Sequence, residues 1–292
     1  AAHLISAEGY DKIVIIIDRN VAKLNKKKLS DFLTRAPIVD TILVNPTPRY
    51  KNYQEAATLI KRLVKIKATR KSCIIAIGGG YVADIAGFVA SIYMRGIDFI
   101  QIPTTLMAMG DAVIGKVAVN FSGYKNIVGN FYSPRMVFCD TSFLKTLDWQ
   151  EFMYGLVEVW KHVLISGNKN AHALMISLLS KRTCSQAQMM DIISFSLKTK
   201  SQYVVGDHDD KKGQHKGLSL GHTFANYFER KFKMRHGEAV FYGIIFATLL
   251  SSSLRMISKK RESSVLEVAS LFEKEFKRLS FMQKKIDTKD LL

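Results

Sequence analysis

This chain has no apolar run long enough to span a bilayer, no Cys-x-x-Cys pair, no Gly-x-Gly-x-x-Gly loop and no internal repeat. Its longest apolar stretches, Ile13 to Ile17 and Gly243 to Leu250, fall well short of the ~20 residues a spanning helix needs, so no membrane partner is expected. Ala1 to Tyr10 carry neither a basic n-region nor a long apolar segment, so a cytoplasmic location is expected and a secretory signal is not. The three cysteines, Cys73, Cys139 and Cys184, are an odd number and read as buried, inert thiols. Acidic residues are also few, 25 against 43 basic ones, which leaves a formal charge of +18. The basic residues lie scattered in small groups such as Lys26 to Lys28, Lys211 with Lys212, and Lys259 to Arg261. No basic stripe interleaved with aromatics stands out, so nucleic acid is not an expected partner. An anionic small substrate is, because positive potential in a cleft concentrates phosphates and carboxylates.

What is present is enough chain for two cores: 292 residues, 48% hydrophobic. Lys12 to Asp18 is apolar and β-branched, and Asn20 opens a helical stretch to about Leu33. The alternation repeats with Ile42 to Val44 then a helix from Asn52 to Ile66, and with Cys73 to Ile77 then a helix from Val82 to Met94. Phe99 to Ile102 and Met136 to Cys139 read as two more buried strands. Such alternation predicts an α/β domain, residues 1–141, with a mostly parallel, Rossmann-like sheet. Beyond Thr141 the strand signals stop. Helical patterns follow at Trp149 to Ile165, Ala187 to Val205, His222 to Phe232, Glu238 to Ile257 and Ser263 to Leu279, predicting an all-α domain over 142–292. Asp207 to Gly217 reads as a loop. The active site is expected in the groove between the halves, beyond the carboxyl ends of the strands.

Gly78-Gly79-Gly80 ends a strand and precedes a helix, where missing side chains let backbone N–H groups approach a pyrophosphate. The same triplet is also an ordinary tight turn. Asp18 closes the first strand where a ribose hydroxyl could be held, or it caps the next helix with Asn20. Glu158, His222 and His236 lie on or beside three separate helices, and a carboxylate with two imidazoles suits Zn²⁺. Glu158 and Lys161 also have the spacing of a surface ion pair, and each histidine could be a satisfied core or cap residue. His3, His162, His172, His208 and His215 have no ligand-like setting.

In order, Gly78-Gly79-Gly80-Tyr81-Val82-Ala83-Asp84, Tyr93-Met94-Arg95-Gly96, Ile102-Pro103-Thr104-Thr105-Leu106, Lys125-Asn126, Phe143 to Leu147, Gly155 to Lys161, Gly221-His222-Thr223-Phe224 and His236 to Val240 strongly resemble the 3-dehydroquinate synthase family of sugar phosphate cyclases. The resemblance runs from about Lys12 to Gly243. It implies NAD⁺, a divalent metal (Zn²⁺ or Co²⁺), a homodimer, and an anionic sugar phosphate substrate in the shikimate pathway. It implies Glu158, His222 and His236 as metal ligands. It places Asp18, Asn20, Lys51, Gly79, Gly80, Asp84, Thr104, Thr105, Asp111, Lys125, Thr146, Leu147 and Glu151 around NAD⁺, and gives Arg95, Lys116, Asn126, Lys161 and Lys200 to the substrate's phosphate and hydroxyls. The implied chemistry is a transient oxidation by NAD⁺, phosphate elimination, return of the hydride, and ring opening followed by aldol closure to a carbocycle.

Departures from the family pattern gather in the substrate half. His215 and Ser219 stand where the pattern carries an arginine, which serves the substrate carboxylate, and an asparagine. Asn226 replaces a second histidine and Pro48 a NAD-facing glutamate, while Asp111 to Lys116 is one residue short. These changes raise a sister cyclase acting on sedoheptulose 7-phosphate or glucose 6-phosphate, and a binding protein without turnover; an NAD-dependent polyol dehydrogenase on the related metal-dependent architecture is a further alternative, against which the retained phosphate-binding lysines count. The family pattern extends further at both ends, so the chain is expected to be incomplete there.

Overall fold

The computed structural model describes residues 2–33, 38–111, 115–205, 207, 211–273 and 276. The chain forms two compact units, Ala1–Leu147 and Asp148–Leu292.

The first unit begins with α1 (Ala2–Ala7), β1 (Ile13–Asp18), α2 (Arg19–Leu24), α3 (Lys26–Leu33) and β2 (Ile38–Val44). It continues with α4 (Tyr53–Lys65), β3 (Cys73–Gly78), α5 (Gly80–Ile92), β4 (Asp98–Pro103), α6 (Leu106–Asp111), β5 (Lys116–Phe121), β6 (Tyr124–Phe131) and β7 (Met136–Val137). Five strands make one parallel sheet in the order β2-β1-β3-β4-β7.

The apolar strands are buried on both faces, as a parallel sheet requires. Alternation along them sends Val14, Ile16, Ile74 and Ala76 into one core with Leu59 and Leu63 of α4 and Phe88 and Val89 of α5. Ile13, Ile15, Ile17, Ile75 and Ile77 enter the other with Ile5 of α1 and Leu29 of α3. In register, Ile17 pairs with Ile77 and Gly78 with Pro103, so Asp18, the glycine turn and Thr104 share the carboxyl edge of the sheet.

Three readings need correction. Met136 to Cys139 is not a full buried strand: β7 has two residues and is half-buried. The antiparallel β5–β6 hairpin has no counterpart in the sequence reading, because β6 is mostly exposed and shows no apolar face. The stretch from Asn20 to Leu33 is two helices, broken at Asn25, whose N–H and side-chain amide both bond to the Val21 carbonyl.

The second unit holds α7 (Trp149–Ser166), α8 (Lys169–Lys181), α9 (Gln186–Val204), α10 (His222–Phe232), α11 (His236–Ser253) and α12 (Lys259–Glu273). Helix α8 was not anticipated, and α12 starts earlier than expected; Leu279 lies outside the described residues. Asp148 caps α7 through the Gln150 N–H, and Gly167 ends it in a left-handed turn. From Phe152 to Val163 every residue of α7 is buried. Such a helix is the centre of its unit. Trp160 meets Phe241 of α11 and Phe272 of α12 with ring centroids 6.0 and 5.3 Å away. No described helix is long and apolar enough to cross a membrane.

Candidate metal centre and cofactor edge

Glu158 lies mid-way along α7, while His222 and His236 are the first residues of α10 and α11. The helices approach closely there because glycines leave room. Gly221 has φ +79°, and a Cβ on it would lie 2.7 Å from the Ile244 nitrogen. A Cβ on Gly243 of α11 would collide with the Gly221 carbonyl, and one on Gly237 with Tyr154 of α7. Close packing of helix starts thus brings both imidazoles to Glu158.

Glu158 Oε1 lies 3.5 Å from His236 Nε2 and 3.8 Å from His222 Nε2. One ligand atom from each of the three residues falls within 4.8 Å of the others. The Lys161 ammonium donates to the other carboxylate oxygen, Oε2, at 2.5 Å, and both side chains are buried. This is not the surface ion pair its spacing alone would suggest. The outer nitrogens are engaged: His222 Nδ1 donates to the Leu220 carbonyl at 3.3 Å, and His236 Nδ1 to Glu229 Oε1 at 2.6 Å. Both Nε2 atoms therefore remain for the interior of the site. Glu158 Oε1, buried and without a hydrogen bond, supplies the third donor. This donor set fits Zn²⁺ or Co²⁺.

Burial alone would raise the Glu158 carboxyl, but the Lys161 ammonium and the two imidazoles hold it well below the usual carboxylate range. Burial lowers His222, with Glu158 opposing and Lys161 and His236 adding to the fall. Enclosure would lower His236 too, but the Glu158 and Glu229 carboxylates push it up to about 9.

Glu229 escaped the sequence reading. It follows His222 by seven residues, two turns along α10, and that spacing on the helix bearing a candidate ligand was the available signal. Lys200 is buried on α9. His215 is buried in a 3₁₀ segment, Gln214–Ser219, rather than in an open loop, and Asp207 braces that segment by accepting the Lys212 and Gln214 N–H groups at 2.9 and 3.0 Å. Asn226 is exposed on α10. Glu151, expected at NAD⁺, is paired with Arg235 within the second unit. His208 lies outside the described residues.

In the first unit, Asp18 is buried and its carboxylate accepts the Asn20 and Val21 N–H groups at 2.7 and 3.4 Å, so it does cap α2. Burial raises its pKa. Gly79 is the N-cap of α5, and a Cβ on it would lie 3.0 Å from the Thr105 side chain, whereas Gly80 faces open space. Thr104 donates its N–H to the Gly78 carbonyl at 3.0 Å, and Thr105 accepts the Ala108 N–H at 3.1 Å. The result is a side-chain-free helix start beside two threonines, the geometry a pyrophosphate needs. The buried Lys51 ammonium bonds Asp84 of α5 and, at 2.5 Å, Asn126 Oδ1 of β6. Thr146 and Leu147 end the 3₁₀ turn Thr141–Thr146, where Asn25 Nδ2 donates to Thr146 Oγ1 at 3.2 Å. Arg95 follows Met94 in a strained turn, with φ +67° and +50°. Asp111 ends α6, Lys116 opens β5 and Lys125 lies on β6. Between Asp111 and Lys116, residues 112–114 lie outside the described residues, and with them the shortened segment.

Burial raises the thiol of Cys73, and that of Cys139 up to about 11; both stay protonated, although Cys139 and Cys184 are only half-buried.

Residues 41–154 match the family model for the 3-dehydroquinate synthase N-terminal region, and residues 155–290 that for its C-terminal region. The 3-dehydroquinate synthase of Staphylococcus epidermidis is 36% identical over 240 residues, 82% of this chain and 67% of the relative. That of Macrococcus caseolyticus is 37% identical over 249 residues, 83% and 69% of the two chains. Among solved structures, 2-deoxy-scyllo-inosose synthase complexed with carbaglucose-6-phosphate, NAD⁺ and Co²⁺ is 25% identical with a TM-score of 0.83, covering 99% of this chain and 78% of the other. The 2-epi-5-epi-valiolone synthase of Streptomyces hygroscopicus, with NAD⁺ and Zn²⁺ bound, is 23% identical, has a TM-score of 0.79, covers 91% and 76%, and shares the fold. This chain belongs to the 3-dehydroquinate synthase family, a family of carbon–oxygen lyases.

Proposed function

We propose that the chain is a 3-dehydroquinate synthase-type sugar phosphate cyclase, dependent on NAD⁺ and on Zn²⁺ or Co²⁺, that eliminates phosphate from a seven-carbon keto-acid sugar phosphate. The observation that carries the reading is the meeting of Glu158, His222 and His236 beside the buried Lys161 ammonium. Bound there, the metal would polarise a substrate hydroxyl while NAD⁺ accepts and later returns a hydride.

The chain's own residues would do the rest. Glu158, held ionised, is ready to ligate at neutral pH. Lys161 presents positive charge where the phosphate departs, and a buried cation acts there with little screening. Lys200, Arg95, Lys116 and Asn126 would hold the phosphate and hydroxyls. The open helix start at Gly79 and Gly80, with Thr104 and Thr105, would take the NAD⁺ pyrophosphate. Asp18, Asn20, Lys51, Asp84, Asp111, Lys125, Thr146 and Leu147 would surround the rest of the cofactor. Glu151 would have to exchange its Arg235 partner to join them. Family membership supports a cytoplasmic homodimer in the shikimate pathway.

A second reading rests on His215. It is buried where the family pattern carries an arginine for the substrate carboxylate, and an imidazole cannot reproduce that bidentate fork. It favours a sister cyclase whose substrate lacks a carboxylate, and the likeness to 2-deoxy-scyllo-inosose synthase gives that reading weight.

The deciding experiment measures inorganic phosphate release with NAD⁺ and Zn²⁺ from the keto-acid phosphate, sedoheptulose 7-phosphate and glucose 6-phosphate in parallel. Release from the keto-acid phosphate is expected. Release only from a sugar phosphate without a carboxylate would establish the second reading, and silence on all three would reject both.

A further inference from the structure

Three hydrogen bonds converge on Asn120, a residue outside the site described so far. It lies in β5 where the hairpin register slips between Val119 and Phe121, and it forms a separate bridge with Asn52. Its backbone N–H turns away from the hairpin and donates to the Lys51 carbonyl at 2.9 Å. Its side chain works in both directions. Nδ2 donates to the Pro48 carbonyl at 3.2 Å, and Oδ1 accepts the Asn126 N–H at 3.1 Å.

Asn126 has φ +53°, a left-handed backbone that asparagine adopts more readily than most residues with a side chain, and here its N–H is also held by Asn120. Its own Oδ1 accepts from the Lys51 ammonium at 2.5 Å, and that ammonium is also bonded to Asp84. A closed ring results. Asn120 holds the Lys51 backbone and the Asn126 backbone, and the side chains of Lys51 and Asn126 hold each other. An amide is the side chain for this place because it offers a donor to Pro48 and an acceptor to Asn126 at once. Alanine offers neither, and aspartate keeps only the acceptor.

We propose that Asn120 is a positioning residue that presents Lys51 and Asn126 as one rigid pair, the first toward the cofactor and the second toward the substrate phosphate. The assignment of those two faces rests on the proposed function; the ring does not.

The test uses the full chain with Asn120→Ala, Asn120→Asp and Asn126→Gly, the last chosen because glycine tolerates the left-handed backbone. Without ligands, Asn120→Ala should speed amide exchange at Asn126 by about tenfold, while Asn120→Asp, which keeps the acceptor, should stay within about twofold of the parent. Unchanged exchange in Asn120→Ala would overturn the proposal. With ligands, Asn120→Ala should lower kcat/KM for phosphate release by about tenfold, and this loss should vanish in the Asn126→Gly background, because coupled residues are not additive. Losses that multiply, or a lower Tm with unaltered kinetics, would reduce Asn120 to a structural residue. If the parent releases no phosphate from any of the three substrates, the proposed reaction falls and the exchange result alone decides the role of Asn120.

Discussion

His236 Nδ1 donates to Glu229 Oε1 at 2.6 Å while its Nε2 lies 3.5 Å from Glu158 Oε1. One ring therefore links a carboxylate on α10 to a carboxylate on α7, and the outer bond decides which nitrogen faces the proposed metal. Replacing Glu229 by Gln keeps the shape and removes the charge that makes the imidazole a better donor. Glu229→Gln should weaken Zn²⁺ binding by about 10- to 100-fold with little change in Tm. Competition with a chromophoric chelator measures it, and unaltered affinity would remove Glu229 from the account of the site.

The same carboxylates make metal uptake depend on pH. With His236 pushed up to about 9, the metal-free protein carries a proton on that ring at neutral pH. A metal must displace it. Apparent Zn²⁺ affinity should climb about tenfold per pH unit through neutrality and level off near pH 9, with proton release on binding. In the metal-free protein the sign is the reverse. A folded pKa above the unfolded value of 6.5 stabilises the fold fully below about pH 6.5, and the gain is lost as pH rises through about 9. Calorimetric Zn²⁺ titrations in buffers of different protonation enthalpy count the released protons, and the Tm of the metal-free protein against pH reads the stability effect; a flat affinity between pH 6.5 and 9 would refute the account.

Lys161 and Glu158 form a buried pair in which each charge depends on the other. Lys161→Met leaves the buried Glu158 carboxylate with the protonated His236 ring as its compensation in the metal-free protein, so the loss should be part of the about 3–5 kcal/mol that breaking a buried pair from one side costs. A bound divalent cation restores the compensation. The variant should therefore lose Tm when metal-free and regain much of it with Zn²⁺, while phosphate release stays depressed. Equal destabilisation with and without metal would mean that the cation does not sit on Glu158.

Much of this architecture was legible in the sequence, for a physical reason. Ile13 to Ile17 and Cys73 to Ile77 are strands buried on both faces, and continuous apolar runs have few other uses in a chain of this length. The meeting of Glu158, His222 and His236 was legible from the chemistry of a carboxylate and two imidazoles on separate helices and from the family resemblance, while the close approach that the glycines permit shows only in the structure. The β5–β6 hairpin was not. β5 alternates and buries Val117 and Val119 in the core, but that signal is short and its partner β6 is mostly exposed, so the pair showed no apolar face to read. Burial of the Glu158–Lys161 pair was equally hidden, since an i,i+3 acid–base spacing looks the same on a wet surface and in a core.

His215 offers the sharpest test of substrate choice. Its 3₁₀ segment is braced by Asp207 and packs His215 inside the second unit, so a replacement acts from a defined position. His215→Arg adds a fixed positive fork, and charge-assisted bonds to a carboxylate contribute about 1.5–3 kcal/mol. If the substrate is the keto-acid phosphate, KM should fall by about tenfold or more, since each 1.4 kcal/mol is a factor of ten. KM for glucose 6-phosphate should not improve, because that sugar has no carboxylate to grip. His215→Met, similar in bulk and uncharged, controls for the change in packing. A chain that turns over a sugar phosphate without a carboxylate and loses that activity with arginine, but not with methionine, would be a sister cyclase whose pocket at this position does not accommodate a fixed cation.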